Sequence, residues 1–393
     1  DNSELLNVLN LGMHPLCDDL ILKGNKEICK EYPIEILLCQ NCNTAHQKYQ
    51  VNKEKLFPTS YHYRARFTAD VINGMRDLVN KTLNFFDNLD DKTVLDIGCN
   101  DGTLLNIFSE KGFKVVGIEP TDAYEDALKI HDNIYNEFLT EEIAEEIVSN
   151  HGKPDLITFT NVFAHIDDLN KVLSSLKVLM GKNTHLVIEN HYLGAILKHN
   201  QFDTFYHEHP RSYSYTSFTF IAEKLGLYIN SCEFPSRYGG NIRVFMSKKN
   251  KKINRNVSVK ENSIKNDFSI MNKNIEIWKI KKLNEIDNLV KKYGKLKSKA
   301  FPGRAAILIK LLGLDEEKIE FNYEKPGSMK IGHYIPGTKI EIISDNELFL
   351  QKKNDLPIIN FAWHIANEIK YYLRENDFNN KIKNIIENRD FIK

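Results

Sequence analysis

Tyr206-His207-Glu208-His209 packs a phenol, a carboxylate and two imidazoles into four consecutive positions, the densest cluster of acid/base side chains in the chain. An imidazole is neutral near pH 7 and can take a proton when a carboxylate orients it, while a neighbouring phenol can donate one. The same residues could ligate a metal, although His207 and His209 face the same way only in an extended segment. A polar loop without a role is the plain alternative. Acid/base chemistry is the preferred reading because a further histidine, His165, is expected to converge on the cluster. It lies in Asn161-Val162-Phe163-Ala164-His165-Ile166-Asp167-Asp168, directly after the apolar run Leu156–Thr160. Strand ends of that kind point into the ligand crevice of an open parallel sheet. The competing role for His165 is a helix cap.

A second chemical feature precedes these. Val94–Ile97 runs into Gly98-Cys99-Asn100-Asp101-Gly102, and Val115–Ile118 ends in Glu119. The pattern is a buried strand, a glycine turn, a helix and another strand closed by an acid. Glycine lets the backbone approach a ligand, the helix start offers free N–H groups, and a carboxylate there can hold both hydroxyls of a ribose. It is neither G-x-G-x-x-G nor a P-loop. An Asp-x-Gly opening at Asp96 with an acid about 20 residues on resembles the S-adenosylmethionine site of class I methyltransferases. An ordinary strand–turn–helix is the alternative. Cys39-x-x-Cys42 alone is a weak metal signal, since structural zinc takes four ligands and Cys17 and Cys29 lack the close spacing. A redox role is disfavoured because the motif does not open a helix after a strand.

The elements that must position these residues read as α/β. Strands are expected at Val94–Ile97, Val115–Ile118, Leu156–Thr160, Leu186–Glu189, Tyr228–Phe234 and Ile242–Met246, with helices between, which is the signature of a doubly wound, largely parallel sheet. A helix over Thr68–Phe86 leads into it. Residues 1 to about 70 read as irregular with short apolar bursts. Ser247 to Asp267 reads as a linker, followed by a Lys-rich helix around Ile275–Lys297 with Trp278, Ile280, Leu283, Ile286 and Leu289 as its apolar face. Helical Ala305–Leu312, strands Ile319–Tyr323, Ile340–Ile343 and Pro357–Phe361, and amphipathic Ile365–Leu373 form a second α/β segment. The expected division is 1–70, 71–246 and 247–393.

Lys+Arg and Asp+Glu both number 53, so net charge is zero and gives no broad reason to bind nucleic acid or an anionic membrane. No apolar run approaches a membrane span, and the start is not a signal peptide. Six cysteines in 393 residues do not make a disulfide scaffold, so a cytoplasmic, reducing compartment is expected.

Four motifs in order resemble the S-adenosylmethionine-dependent sugar C-methyltransferase family, which acts on nucleotide-linked keto-deoxysugars. They are Asp96-Ile97-Gly98-Cys99-Asn100-Asp101-Gly102-Thr103-Leu104-Leu105, the Asn161–Asp168 segment, Asp203-Thr204-Phe205-Tyr206-His207-Glu208-His209, and His333-Tyr334-Ile335-Pro336-Gly337-Thr338. The resemblance spans nearly the whole chain. It implies a small N-terminal zinc-binding-type module, a central class I methyltransferase domain and a C-terminal Rossmann-like α/β domain. It also implies that His165, Tyr206, Glu208 and His209 line the active site, and that Tyr61 or Tyr63 reaches it. Asp96, Gly98, Asn100, Gly102 and Glu119 would bind the methyl donor, Glu119 on its ribose, with Asn161 beside them. Structural zinc would engage Cys39 and Cys42. The zinc module's other Cys-x-x-Cys pair is absent, and is expected just upstream of Asp1, the chain having no initiating methionine. Two further departures are Tyr238-Gly239-Gly240-Asn241-Ile242-Arg243, with tyrosine where histidine is expected and Arg243 a substrate-binding candidate, and Phe301-Pro302-Gly303-Arg304-Ala305, an altered glycine turn.

The activity so implied is methyl transfer to a carbon beside the ketone of a nucleotide-linked sugar through an enolate, in polysaccharide or glycosylated-metabolite biosynthesis. His209 is the expected base, oriented by Glu208, with Tyr206 or His165 on the oxyanion. O-methylation of a sugar hydroxyl by the same cluster is the alternative enzyme reading. A non-catalytic S-adenosylmethionine-binding interaction protein is the other. No nucleic-acid or membrane partner is expected, and the oligomeric state is left open.

Overall fold

The computed structural model describes residues 4–57, 63–67, 69–86, 88–250, 261, 263–350 and 355–391. The expectation placed on Tyr61 lies outside the described residues. Three sheets organise the described residues.

The first contradicts the expectation of an irregular N-terminus. Strands β1 (Leu5–Pro15), β3 (Glu31–Cys39), β4 (Ala45–Gln47) and β10 (Arg211–Ser212) pair in that order. The alternation of β1 is broken where its register against β3 shifts, between Asn7 and Leu9 and between Asn10 and Gly12. Such bulges change which side chains face inward, so the strand hides its period of two. This sheet has no core of its own. Leu9, Ile34, Ile36 and Leu38 belong to one apolar cluster with Phe202, Phe205, Trp278 and the helix Ala305–Leu311.

The central sheet has the order β11 (Tyr228–Glu233), β12 (Asn241–Ser247), β9 (His185–His191), β8 (Leu156–Thr160), β5 (Thr93–Ile97), β6 (Lys114–Ile118), β7 (Ile134–Tyr135). All neighbours from β9 to β7 are parallel, while β12 is antiparallel to both β9 and β11. Its strands are apolar on both sides. Leu95, Val116, Ile157 and Leu186 feed one face's cluster, and Val94, Val115, Leu156 and Val187 feed the other. Burial on both faces explains the near-continuous apolar runs. The fold is that of class I methyltransferases, as expected. The chain turns back between β5 and β8, and ligand crevices form at such reversals, outside the carboxyl ends of the strands.

The third sheet runs β18 (Ile382–Asn384), β17 (Ile358–Asn360), β13 (Leu296–Lys299), β14 (Ile319–Glu324), β16 (Glu341–Ser344), β15 (His333–Tyr334), β2 (Ile21–Leu22). Its parallel part reverses between β13 and β17, a second crevice-forming geometry. Two expectations are corrected here. The Lys-rich helix spans Ile264–Tyr293, beginning inside the expected linker, and Ile280 on its expected apolar face is 62% exposed. Gly294, at φ +78°, ends the helix, so Leu296 and Lys297 start a strand instead. No helix among the described residues is long and apolar enough to cross a membrane.

Candidate active site

A cavity of about 320 Å³ opens at the carboxyl end of the central sheet. Residues from the ends of β5, β6, β8 and β9 line it: Gly98 to Asn100, Glu119, Asn161 and His191. Tyr206 and His209 complete one wall, and Tyr63, Arg237 and Tyr238 another.

One half is built around the glycine turn. Gly98 sits at φ +73°, and a Cβ there would lie 2.5 Å from Val162 Cγ2. The turn thus needs glycine both for its backbone conformation and for the close approach of the loop after β8. Glu119 accepts hydrogen bonds from the backbone N–H groups of Asn100 (2.9 Å) and Thr121 (3.0 Å) and from the Thr121 hydroxyl (2.6 Å). Burial nevertheless pushes its carboxyl above the usual range. Asp96, holding the Thr158 hydroxyl at 2.6 Å, is pushed up to about 7 by burial. Asn161, at φ +56°, lines the floor and accepts from Asn241 Nδ2 at 3.1 Å. Apolar Phe138 and Leu139 flank this half.

The other half is a run of neutral rings. Phe57 meets His165 at 5.3 Å, His165 meets His209 at 4.8 Å, His209 meets Tyr206 at 4.2 Å and His191 at 5.3 Å, and His191 meets Tyr238 at 5.4 Å, ring centre to ring centre. Tyr238 and Tyr63 hydroxyls stand 3.5 Å apart. Burial holds His165 down to about 4 and His191 to about 3. His209 is held well below its ordinary value by burial first, and then because a proton on it would be repelled by one on His165 or His191. Burial raises the Tyr206 phenol well above its ordinary value, so it keeps its proton. His209 Nδ1 lies 2.9 Å from the Thr204 carbonyl oxygen. A carbonyl only accepts, so Nδ1 of the neutral ring carries the hydrogen and Nε2 holds the basic lone pair.

Several site residues sit otherwise than expected. The Thr204 carbonyl holds His209 Nδ1 where the Glu208 carboxylate was expected to, and the Glu208 main-chain oxygen contacts His165 Nδ1 at 2.7 Å. Arg243 is fully buried away from the cavity, its Nε on Glu189 at 2.6 Å and Nη1 on Asp77 at 2.8 Å, so its charge is spent on the scaffold. Gly102 does not line the cavity; at φ +76° it starts the helix Thr103–Ser109. Sequence reasoning missed His191 and Arg237, and noted Tyr238 only as a departure from the family pattern, not as a wall of the cavity. His191 carried a signal of its own, being the polar residue that closes an apolar strand.

Cys39 and Cys42 stand beside each other at the turn from β3 to β4, where burial raises the Cys42 thiol and its sulfur lies 3.1 Å from the Thr44 hydroxyl. Zinc needs four ligands, and no group of three or more His, Cys, Asp or Glu suited to a metal occurs among the described residues. The two thiols therefore do not by themselves fit a zinc ion.

Three family models match the chain: "Putative zinc binding domain" over residues 1–57, "Methyltransferase domain" over 65–231 and "C-methyltransferase C-terminal domain" over 236–381. Among curated proteins, C-methyltransferase NovU of Streptomyces niveus is 29% identical over 249 residues, covering 62% of this chain and 58% of its own length. The chain thus spans less than two thirds of that relative. An uncharacterized RNA methyltransferase of Clostridium acetobutylicum is 32% identical over 88 residues, 21% of this chain and 19% of its own length. A solved methyltransferase from Archaeoglobus fulgidus, described as dependent on S-adenosylmethionine, aligns with 51% of this chain and 86% of its own at 19% identity and a TM-score of 0.35, a likeness that carries no weight for activity.

Proposed function

The chain belongs to the C-methyltransferase family that joins a zinc-binding-type module, a methyltransferase domain and a dedicated C-terminal domain, and on that premise we propose that it methylates a carbon beside the ketone of a nucleotide-linked keto-deoxysugar, with S-adenosylmethionine as donor. One observation carries this reading. A neutral imidazole with a fixed tautomer, His209, shares a cavity with the glycine turn and its acid.

The donor half suits the cofactor. Gly98 and Asn100 offer a close backbone approach, Glu119 would take a ribose hydroxyl, and Phe138 and Leu139 offer apolar contact to an adenine. Bound there, the cofactor supplies an electrophilic methyl sulfonium. In the acceptor half, His209 Nε2 takes the proton from the carbon beside the ketone. Its low basicity keeps it ready at neutral pH but limits the driving force, so the enolate oxygen needs a donor. Tyr206 is suited to that, because its phenol stays protonated. His165 is less suited, since the main-chain oxygens of Glu208 and Asn161 both engage its ring. The apolar and aromatic walls limit water near the enolate.

The test is to incubate the protein with S-adenosylmethionine and a nucleotide-linked 4-keto-6-deoxysugar, then locate any new methyl by NMR. A methyl on the carbon beside the ketone is expected. A methyl on oxygen, or none on any keto-deoxysugar tried, would overturn the reading.

A further inference from the structure

One charged group reaches the ring wall from the C-terminal sheet. Arg304 follows β13 and stands just before the helix Ala305–Leu311. It is only 8% exposed, and it grips a segment a hundred positions earlier. Its Nε donates to Asp203 Oδ2 at 2.9 Å, and its Nη2 donates to Asp203 Oδ1 at 2.5 Å and to the Thr204 hydroxyl at 2.7 Å. Trp363, in the turn after β17, donates its indole N–H to Asp203 Oδ2 at 2.8 Å. The loops that leave β13 and β17, the two strands at which the C-terminal sheet reverses, therefore meet on one fully buried carboxylate. The residue after that carboxylate, Thr204, supplies the carbonyl that holds His209 Nδ1.

We infer that Arg304, through its fork on Asp203 and Thr204, is a positioning residue that fixes the orientation and tautomer of the His209 imidazole from the C-terminal domain. The inference rests on the reading of His209 as the base. The segment Phe202–Thr204 is a single short turn with no side-chain cap. Its carbonyl direction depends on what clamps it, and the guanidinium clamps both side chains at its end. A lysine could supply the charge but not the planar fork. Loss of the cation would leave the Asp203 carboxylate buried without its counter-charge, which strains the turn directly before the base. The same cation sits in the field of the rings: Arg304 lowers His209, His191 and His364. The groups facing His209 are His165, His191, Tyr206 and Arg304, with Asp203 behind the last.

The test uses the full chain with Arg304→Gln, Arg304→Lys and Asp203→Asn, labelled with nitrogen-15 histidine and assigned through His209→Asn. At neutral pH the nitrogen shifts of His209 read its tautomer without any substrate. A single Nδ1–H form is expected in the parent protein and a mixture in every folded variant. With an acceptor in hand, kcat should fall about 100-fold, as for a base displaced by an ångström, while the donor KM stays unchanged. The acid limb of the pH profile should move up in Arg304→Gln, which removes a cation, and down in Asp203→Asn, which leaves that cation unneutralised. Thermal melting separates unfolded variants, and Arg304→Lys keeps the charge if Arg304→Gln does not fold. An unchanged tautomer in folded variants, or a fully active Arg304→Lys, would overturn the inference. Turnover failing with every keto-sugar while the tautomers still shift would count against the proposed reaction and leave the clamp standing.

Discussion

At the scale of single residues, the chemistry rests on groups whose charge states are set by burial. His209 stays neutral and presents Nε2 because a main-chain carbonyl takes its other nitrogen's hydrogen. His209→Asn should cut turnover by about 100- to 10,000-fold and leave the affinity for S-adenosylmethionine intact, as calorimetry would read; lost cofactor affinity would place His209 in the donor half. Asp96 poses the opposite case. Pushed up to about 7 by burial, its charge is unwelcome in the folded chain at higher pH. Asp96→Asn keeps an acceptor for Thr158, so at pH 8 it should melt at the same or a higher temperature while binding the cofactor more weakly. His209, Tyr206 and His165, which line the cavity, were singled out in the sequence by the density of acid/base side chains in Tyr206–His209 and by the strand-end position of His165. The agent that orients His209 was not, since a backbone carbonyl has no residue signature. Arg304 was illegible for a related reason: its partner lies far away in sequence, and only the fold brings the two together.

Among elements, the central strands announced themselves because burial on both faces demands unbroken apolar runs, and β5, β6, β8, β9, β11 and β12 fall where those runs lie. β1 did not, because its register breaks scramble the alternation. β13 did not either, since Leu-Lys-Ser-Lys reads as the tail of a Lys-rich helix until Lys299 is found buried against Asp345 at 2.9 Å. The turn after β5 is held by close packing as much as by conformation. A Cβ on Gly117 in β6 would lie 2.7 Å from Cys99 Sγ and 2.8 Å from Leu105 Cδ1. Gly117→Ala should therefore destabilise the fold by about 1–3 kcal/mol through overpacking, measured by denaturant unfolding. Gly98→Ala adds a positive-φ strain and a clash with Val162, so it should also depress cofactor binding. A Gly98→Ala protein that binds the cofactor normally would show that the turn is not part of the donor half.

Across the whole molecule, the end of the cavity lined by His165, His191 and His209 lies where groups from the central and C-terminal sheets meet. The strand ends of the central sheet bring His165 and His191, and the C-terminal sheet brings Arg304 and His364 near His191 and Trp363 onto Asp203. Such a buried imidazole cluster makes the molecule acid-sensitive. The unfolded chain titrates its histidines near 6.5, whereas the folded chain holds His165 near 4 and His191 near 3. Between those limits the unfolded state binds more protons, so stability should fall as pH drops from about 6.5 toward 4 and below. Asp96 works the other way over its own window from 7 down to 3.8, and the Glu119 carboxyl, also raised by burial, acts in the same direction. Melting temperatures measured across that range check the balance; a flat profile would mean that the rings are more solvated than their burial implies. The central claim, proton removal from carbon before methyl transfer, has a direct measurement. The protein is placed in D2O with a nucleotide-linked 4-keto-6-deoxysugar, first without and then with S-adenosylmethionine. Deuterium uptake beside the ketone in both, lost in His209→Asn, with a methyl gained only when the cofactor is present, is the predicted result. A methyl gained with every carbon-bound hydrogen retained would contradict it.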